Sequence, residues 1–304
     1  MLINYTEHLE KLNNVRKGKV KEALKIGFPG LDEHFRFVHG NLNIILGHAN
    51  VGKTHFIMYL MLLYSKLHNL KWLVFSSENE PYTLIKKLVE FLEEEPVNKI
   101  AENNYQKSND FVYDHFKFVN CDRQYTYKEL LDLATNVKKA WDYDGMLLDP
   151  INSLRKKIPQ GSNAYEYSYE SLTDMRIFCK TYNISLWVNT HAVTEALRKK
   201  HPPNHEYGGQ PIPPMMGDSE MGGMFGNRSD DYLIIHRYLY DMTNWMYTRL
   251  YVAKVKHQEL GYKPTPIESP VLFKSLLNNV GFEIGGKNLI KLNEPSIKKN
   301  STQT

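Results

Sequence analysis

The sequence predicts an α/β protein: a mostly parallel sheet covered by helices on both faces, with antiparallel strands extending one edge. Three observations predict it. Between residues 41 and 285, short apolar runs alternate with longer helical patterns, the order that builds parallel sheets. A glycine-bracketed turn separates the first apolar run from the first helical pattern. The last apolar runs succeed one another in hairpin fashion, without the long crossovers that parallel neighbours need.

The elements follow in order. NLNIILG (41–47) is short, continuous and closed by glycine, as a buried strand is. A helix spans 53–68. KWLVFSSE (71–78) is a second strand, expected beside the first, and a helix covers 81–94. FKFVN (116–120) is a third strand. TYKELLDLATNVKKAW (126–141) is a helix with Thr126 and Glu129 in capping-box register. DGMLLDP (144–150) and ISLWVNTH (184–191) are the fourth and fifth strands, with a helix over 165–182 between them. DYLIIHR (231–237), TRLYVAKVK (248–256) and VLFKS (271–275) complete the set. Two long stretches escape the pattern, 155–168 and the Pro-, Gly- and Met-dense 199–229. Both follow strand ends, where open α/β sheets place their ligands, and loops of this length are functional or disordered.

Bulk properties narrow the class. The 304 residues fit one large domain or two small ones, and 42% hydrophobic with 24% charged residues is ordinary for a globular core. No run of eighteen apolar residues exists to span a membrane. The N-terminal MLINYTEHLEKLNNVRKGKVKEAL is polar throughout and lacks the apolar centre of a secretory signal, so a cytoplasmic location is expected. Cys121 and Cys179 have no metal-type spacing and read as two ordinary reduced thiols. The net charge of +4 is compatible with a polyanionic partner without establishing one. Its distribution tells more: acids cluster at Glu93, Glu94 and Glu95, and cations at Arg155, Lys156 and Lys157 and again at Arg198, Lys199 and Lys200.

Gly47, His48, Ala49, Asn50, Val51, Gly52, Lys53 and Thr54 satisfy G-x-x-x-x-G-K-[ST], between a strand and a helix as that motif requires. Gly47 permits a turn that a Cβ would obstruct, and Gly52 lets the backbone approach phosphate oxygens. The amides here, with His55 next along, point inward at a helix N-terminus whose dipole favours negative charge. Lys53 would reach the β- and γ-phosphates of a nucleotide, and the Thr54 hydroxyl would coordinate Mg²⁺. Hydrolysis needs two more parts, a carboxylate on the metal and a base for water. Asp149 ends an apolar strand in the Walker B arrangement. Glu78, at the end of the second strand, is the base; Glu80 faces away and starts the next helix.

At this point the residues resemble a family. KIGFPGLDEHF (25–35), GHANVGKTHF (47–56), FSSENEP (75–81) and LLDPINSL (147–154) occur in the order and spacing of the RecA-like core of DnaB-type replicative helicases, nearest its phage and Twinkle-like branch. Gly27, Phe28, Leu31 and Asp32 match the family's G-F-x-x-L-D segment. The resemblance, over about residues 25 to 285, implies a RecA-like P-loop fold, with Glu78 as catalytic base and Asp149 as Walker B aspartate. WVNTHAV (187–193) resembles the strand whose last polar residue senses the γ-phosphate, which points to His191. GNRSDDYLIIHR (226–237) and LYVAKVKHQELG (250–261) resemble the region whose lysine and arginine reach the neighbouring subunit's ATP. Here those positions are Lys254 and Lys256, so lysine stands where the family carries its finger arginine, and a point charge replaces a planar fork.

The same resemblance implies a homo-oligomer, a hexameric ring with ATP between subunits, acting in DNA replication. The loops holding Arg155, Lys156, Lys157, Arg198, Lys199 and Lys200 would line a channel for single-stranded DNA, where phosphate neutralisation gives sequence-independent affinity. A solvated charge run is the competing reading of each triplet. Tyr165, Tyr167 and Tyr169 offer base stacking or, equally, packing against the sheet. Partners implied are a primase, a polymerase or a helicase loader. The expected organisation is a linker or helical arm over 1–24, the ATPase domain over 25–292 and a disordered tail over 293–304. Three rivals stand: a RecA/RadA-like recombination ATPase, a regulatory nucleotide-binding subunit of a phage replication or packaging complex, and a small-molecule kinase, for which no lid signature is present.

Overall fold

A computed structural model of the chain describes residues 4–17, 23–220 and 222–292. Helix α1 (Tyr5–Arg16) is capped by the Asn4 side chain, which accepts from the Thr6 amide. After the short α2 (Pro29–Asp32), strand β1 (Leu42–Gly47) leads into α3 (Lys53–His68), and β2 (Trp72–Ser76) into α4 (Pro81–Glu93) and α5 (Glu102–His115). Then come β3 (Phe116–Phe118), α6 (Tyr127–Ala140), β4 (Gly145–Asp149), α7 (Ala164–Tyr182), β5 (Ser185–His191) and the short α8 (Thr194–Arg198) and α9 (Met224–Arg228). Strands β6 (Asp231–His236), β7 (Tyr247–Val255), β8 (Val271–Ser275) and β9 (Phe282–Glu283) precede α10 (Leu289–Leu292).

The nine strands form one sheet in the order β3-β2-β4-β5-β1-β6-β7-β8-β9. The first six in that order are parallel neighbours; β7, β8 and β9 extend the edge antiparallel. The expected α/β class and antiparallel extension are both present. Alternation along each strand divides the core into two layers. Ile45, Val74, Leu147, Trp187 and Leu233 pack toward α3 and α4. Leu46, Phe75, Leu148, Val188 and Ile234 pack toward α6 and α7. Helix α3 is buried along Phe56–Ser65 because β8, β9 and α10 close over its outer side, with the Phe56 and Phe273 rings 4.7 Å apart.

The structure departs from the sequence reading in four places. Strand β2 does not lie beside β1, because β5 and β4 stand between them; succession along the chain is not succession across the sheet. It also ends at Ser76, so Glu78 lies beyond the strand. Helix α5 has no counterpart among the sequence-expected elements, since ENNYQKSNDFVYDH buries only Ser108, Val112 and His115 and carries little apolar periodicity. The domain takes in residues before 25, for Leu24 bridges Phe37 and Ala23 packs on the core. The tail expected to be disordered, 293–304, lies outside the described residues.

The long segment 199–229 has internal order. Lys200 bridges Pro211, and the His201 amide donates to Gln210 O at 2.9 Å and the Ile212 amide to Lys199 O at 3.0 Å, closing a hairpin. Its rings form a stack: His201 on His205 at 4.0 Å, and Tyr207 on Tyr238 at 3.9 Å, with the Arg249 guanidinium 4.5 Å over Tyr238.

The Gly27-Phe28-x-x-Leu31-Asp32 segment has a physical explanation in this fold. The Asp32 carboxylate accepts from the Ile26 amide at 2.8 Å and the Gly27 amide at 2.9 Å, fixing the chain where it enters the domain, while Leu31 is fully buried. Asp32→Ala leaves both amides unpaired and is expected to destabilise the protein by about 1–3 kcal/mol. Asp32→Asn, which keeps one acceptor oxygen, should lose less, as the midpoints of chemical denaturation will show.

Candidate nucleotide site

The site stands at the C-terminal edge of the parallel strands, where β1 hands the chain to α3. Asn50 and Gly52 take positive φ of 63° and 80°, which turns the backbone back on itself. A Cβ on Gly47 would come within 2.5 Å of Ile235 O, so glycine is required at the strand end. The first intrahelical bond of α3 is Phe56 N to Gly52 O, leaving the amides of Lys53, Thr54 and His55 without helical acceptors. These amides, with exposed Ala49 and Asn50, form a turn whose geometry could receive an anion, and Val51 anchors it in the core. The His55 ring packs edge-on against Phe91 and Phe282, so its backbone, not its imidazole, belongs to the turn.

Lys53 is buried and folded back over the turn. Its Nζ donates to His48 O at 2.9 Å, Gly47 O at 3.1 Å and His191 Nδ1 at 3.3 Å. An ammonium only donates, so Nδ1 accepts and Nε2 carries the ring proton, which it gives to Glu78 Oε1 at 3.1 Å. Lys53, His191 and Glu78 thus form one continuous hydrogen-bonded chain. Burial pulls the Lys53 ammonium down to about 8, with Asp149 and Glu78 opposing.

Asp149 is fully buried at the end of β4. Its Oδ2 accepts from Thr54 Oγ1 at 2.8 Å and Ser76 Oγ at 3.1 Å, and its Oδ1 from Asn189 Nδ2. Burial raises its pKa against these three donors. Thr54 and Asp149 are hard oxygen donors in contact, a pair that suits Mg²⁺, which takes a few protein oxygens and fills the rest of its shell from water and phosphate. Among the described residues no cluster of three or more His, Cys, Asp or Glu stands ready to hold a metal alone.

Sequence reasoning missed four residues here. Ser76 and Asn189 hold Asp149. Asn152 accepts from Thr190 Oγ1 at 3.0 Å and donates to Glu220 at 2.7 Å, tying the loop after β4 to the end of β5 and to the segment that follows it. Arg237 places Nη1 3.5 Å from where a Cβ on Gly52 would stand, with its other nitrogens on Trp245 O. No local pattern announces these four; strand order alone brings them to the turn.

The remaining expected residues fall in two places. Arg155, Lys156, Lys157, Arg198, Lys199 and Lys200 are all exposed, beyond the ends of neighbouring strands β4 and β5 on the side of the phosphate turn. Lys199 pairs with Asp218 at 2.7 Å. The hairpin that begins there touches the turn directly, His48 Nε2 donating to Ile212 O at 3.2 Å. Tyr167 is buried against Tyr127, whereas Tyr165 and Tyr169 are exposed and Arg228 lies 3.8 Å over the Tyr169 ring. Lys254 and Lys256 sit at the opposite end of the sheet, where β7 pairs with the start of β6, away from the turn between β1 and α3.

The sheet order and the glycine-bracketed turn together define a RecA-like P-loop fold. No family model matches the chain. The Twinkle homolog protein, chloroplastic/mitochondrial, of Arabidopsis thaliana is 22% identical over 226 residues, which take in 71% of this chain and 30% of the relative. Among solved structures, the ATPase domain of G40P superposes with TM-score 0.70 at 12% identity over 93% of this chain and 99% of that one. A DnaB-like replicative helicase, described with its interactions with primase, gives 0.67 at 11% identity, covering 93% of this chain and 67% of that one. A KaiC-like protein of Pyrococcus horikoshii gives 0.55 at 14% identity, over 87% and 99%. The fold is the one that DnaB-like helicase ATPase domains have. No described helix is long and apolar enough to cross a membrane.

The Lys53 environment sets a pH dependence. A bound phosphate favours the charged amine and raises its pKa, so binding above pH about 8 takes up a proton and affinity falls as pH rises through that value; well below it Lys53 is already charged and contributes no slope. Calorimetric titration of a non-hydrolysable ATP analogue at about pH 9, in two buffers of different ionisation enthalpy, should detect this uptake, and Lys53→Ala should abolish it.

Proposed function

We propose that the chain is the ATPase core of a DnaB-type DNA helicase or translocase acting in replication, a hexameric ring that hydrolyses Mg-ATP between subunits and moves along single-stranded DNA. The observation that carries the reading is the chain from Lys53 through His191 to Glu78, with Thr54 on Asp149 beside it. It joins the phosphate-binding cation to the candidate base through the residue placed to sense what the cation does.

Lys53, Thr54 and Asp149 would hold ATP and Mg²⁺, the metal neutralising charge on the phosphate oxygens. Glu78, whose side chain is 50% exposed, turns from His191 to orient the attacking water. When Lys53 turns to phosphate, His191 loses its donor on Nδ1 and is released to reorient. Asn152, bonded to the Thr190 side chain and the His191 amide, relays that change to the loops bearing the two basic triplets. Those six cations would grip the strand backbone, and loss of the γ-phosphate would reset them. Tyr5, Leu9 and Leu12 line one exposed face of α1, a stripe suited to a neighbouring subunit. Primase is the first partner to test, since a similar DnaB-like helicase is described with one. The lysine at 256 favours one second reading, a regulatory subunit that binds nucleotide and turns it over poorly.

ATP hydrolysis by the purified protein should rise strongly on adding single-stranded DNA and fall about a hundredfold or more in Glu78→Gln and Lys53→Ala. Hydrolysis indifferent to DNA at low salt would sink the motor, and absence of basal hydrolysis would favour the regulatory subunit. Mixing Lys53→Ala with Lys256→Ala protein should recover activity, because each supplies the half of the interface that the other lacks. Replacing Lys156 and Lys157 with Ala should weaken DNA binding and lower its salt slope by about 1–2 units, read from titrations at several ionic strengths.

A further inference from the structure

Around Asp230, at the start of β6, the two finger lysines are held very differently. Lys254 Nζ donates to Gly226 O and Ser229 O, each at 2.7 Å, and to Asn227 O at 3.3 Å, so all three of its protons are placed on the end of α9. Lys256 Nζ has one acceptor among the described residues, Asp230 Oδ1 at 2.7 Å, and its side chain is 34% exposed. Asp230 is 1% exposed and has other partners. The same Oδ1 accepts from Arg176 Nη2 at 3.1 Å, and Oδ2 accepts from the Leu42 amide at 3.0 Å. Next to it Asp231 is buried on Tyr262 and Asn41, at 3.0 and 3.3 Å. Three cations, Lys254, Lys256 and Arg176, therefore surround Asp230 and Asp231, with Glu259 also within electrostatic reach of Lys256.

We propose that Lys256 is a retractable cation: Asp230 holds it within its own subunit until it leaves for the triphosphate bound by the neighbour, and Arg176 stays behind on Asp230. This rests on the reading of the chain as an oligomeric ATPase with Lys256 at the interface. Removing one member of a buried ion pair is costly because the other is left bare. Here the carboxylate keeps Arg176 and the Leu42 amide, so the departure of Lys256 strands no charge. Lys254 has no such freedom, since the carbonyls closing α9 would lose their donor. The exchange also gives a reason for lysine where the family carries arginine. A point charge on a flexible stem swings between one carboxylate oxygen and one phosphate oxygen, whereas a guanidinium holding Asp230 through both oxygens would release less readily. Arg176 and Asp230 are positioning residues on this view, acting through Lys256.

The test is steady-state ATP hydrolysis with saturating single-stranded DNA, alongside thermal melting of each variant. Lys256→Ala should lower kcat about a hundredfold or more. Arg176→Met, which leaves Asp230 dependent on Lys256, should lower kcat about tenfold with KM for ATP unchanged, and Arg176→Lys should restore it. Adding Asp230→Asn to Arg176→Met should also restore kcat, because the amide no longer holds Lys256. A merely structural ion pair would make that double variant worse, not better. Wild-type kcat in Arg176→Met, or no rescue by Asp230→Asn, overturns the retractable cation while a slow Lys256→Ala keeps the interface reading. Wild-type kcat in Lys256→Ala overturns the interface reading itself. Should the double variant fail to fold, the contrast between Arg176→Met and Arg176→Lys decides.

Discussion

One buried carboxylate organises the candidate-site end of this molecule. Asp149 has no solvent to support its charge, and such a group persists only where donors converge on it. Its donors come from three separate elements: Thr54 from the first turn of α3, Ser76 from the end of β2 and Asn189 from β5. Their convergence requires β2, β4 and β5 to keep register and α3 to begin at Lys53, directly after Gly52. An error of one residue in any strand would point the wrong face at the carboxylate. Sheet order, strand ends and phosphate turn are in this sense one constraint.

The same sheet gives the molecule two unlike ends. The phosphate turn, Lys53, His191 and Glu78 occupy the C-terminal edge of the parallel strands. The cluster of Asp230, Arg176, Lys254 and Lys256 occupies the other edge, because β7 runs back antiparallel and delivers its last residues to the start of β6. A contact joining one kind of end to the other is heterologous, and the rotation between copies decides whether it closes into a ring or continues as a filament. Antiparallel reversal at a sheet edge thereby places a cation-bearing end opposite the end that carries the glycine-bracketed turn.

What could be read in advance followed from how local each signal was. The phosphate turn spans eight consecutive residues with fixed chemistry, and Asp149 closes an apolar run; both are visible in a short window. The capping box at Thr126 and Glu129 is equally local and is present, the Glu129 amide donating to Thr126 Oγ1 at 3.3 Å. Ser76, Asn189, Asn152 and Arg237 are ordinary polar residues whose meaning comes from neighbours more than thirty residues away in sequence. Strand β2 was misplaced for a related reason, since a crossover gives no sign of how many strands it passes. Helix α5 escaped because a helix lying on others at the surface needs little apolar periodicity to be stable in context.

The hairpin after β5 looks in composition like a tether, rich in proline and glycine. Its Tyr207 ring, stacked on Tyr238 beneath Arg249, packs it against the sheet instead. The bond from His48 to Ile212, and that from the Ile212 amide to Lys199 O, join the turn after β1 to the basic segment through two hydrogen bonds, a connection that an unpaired loop would not provide.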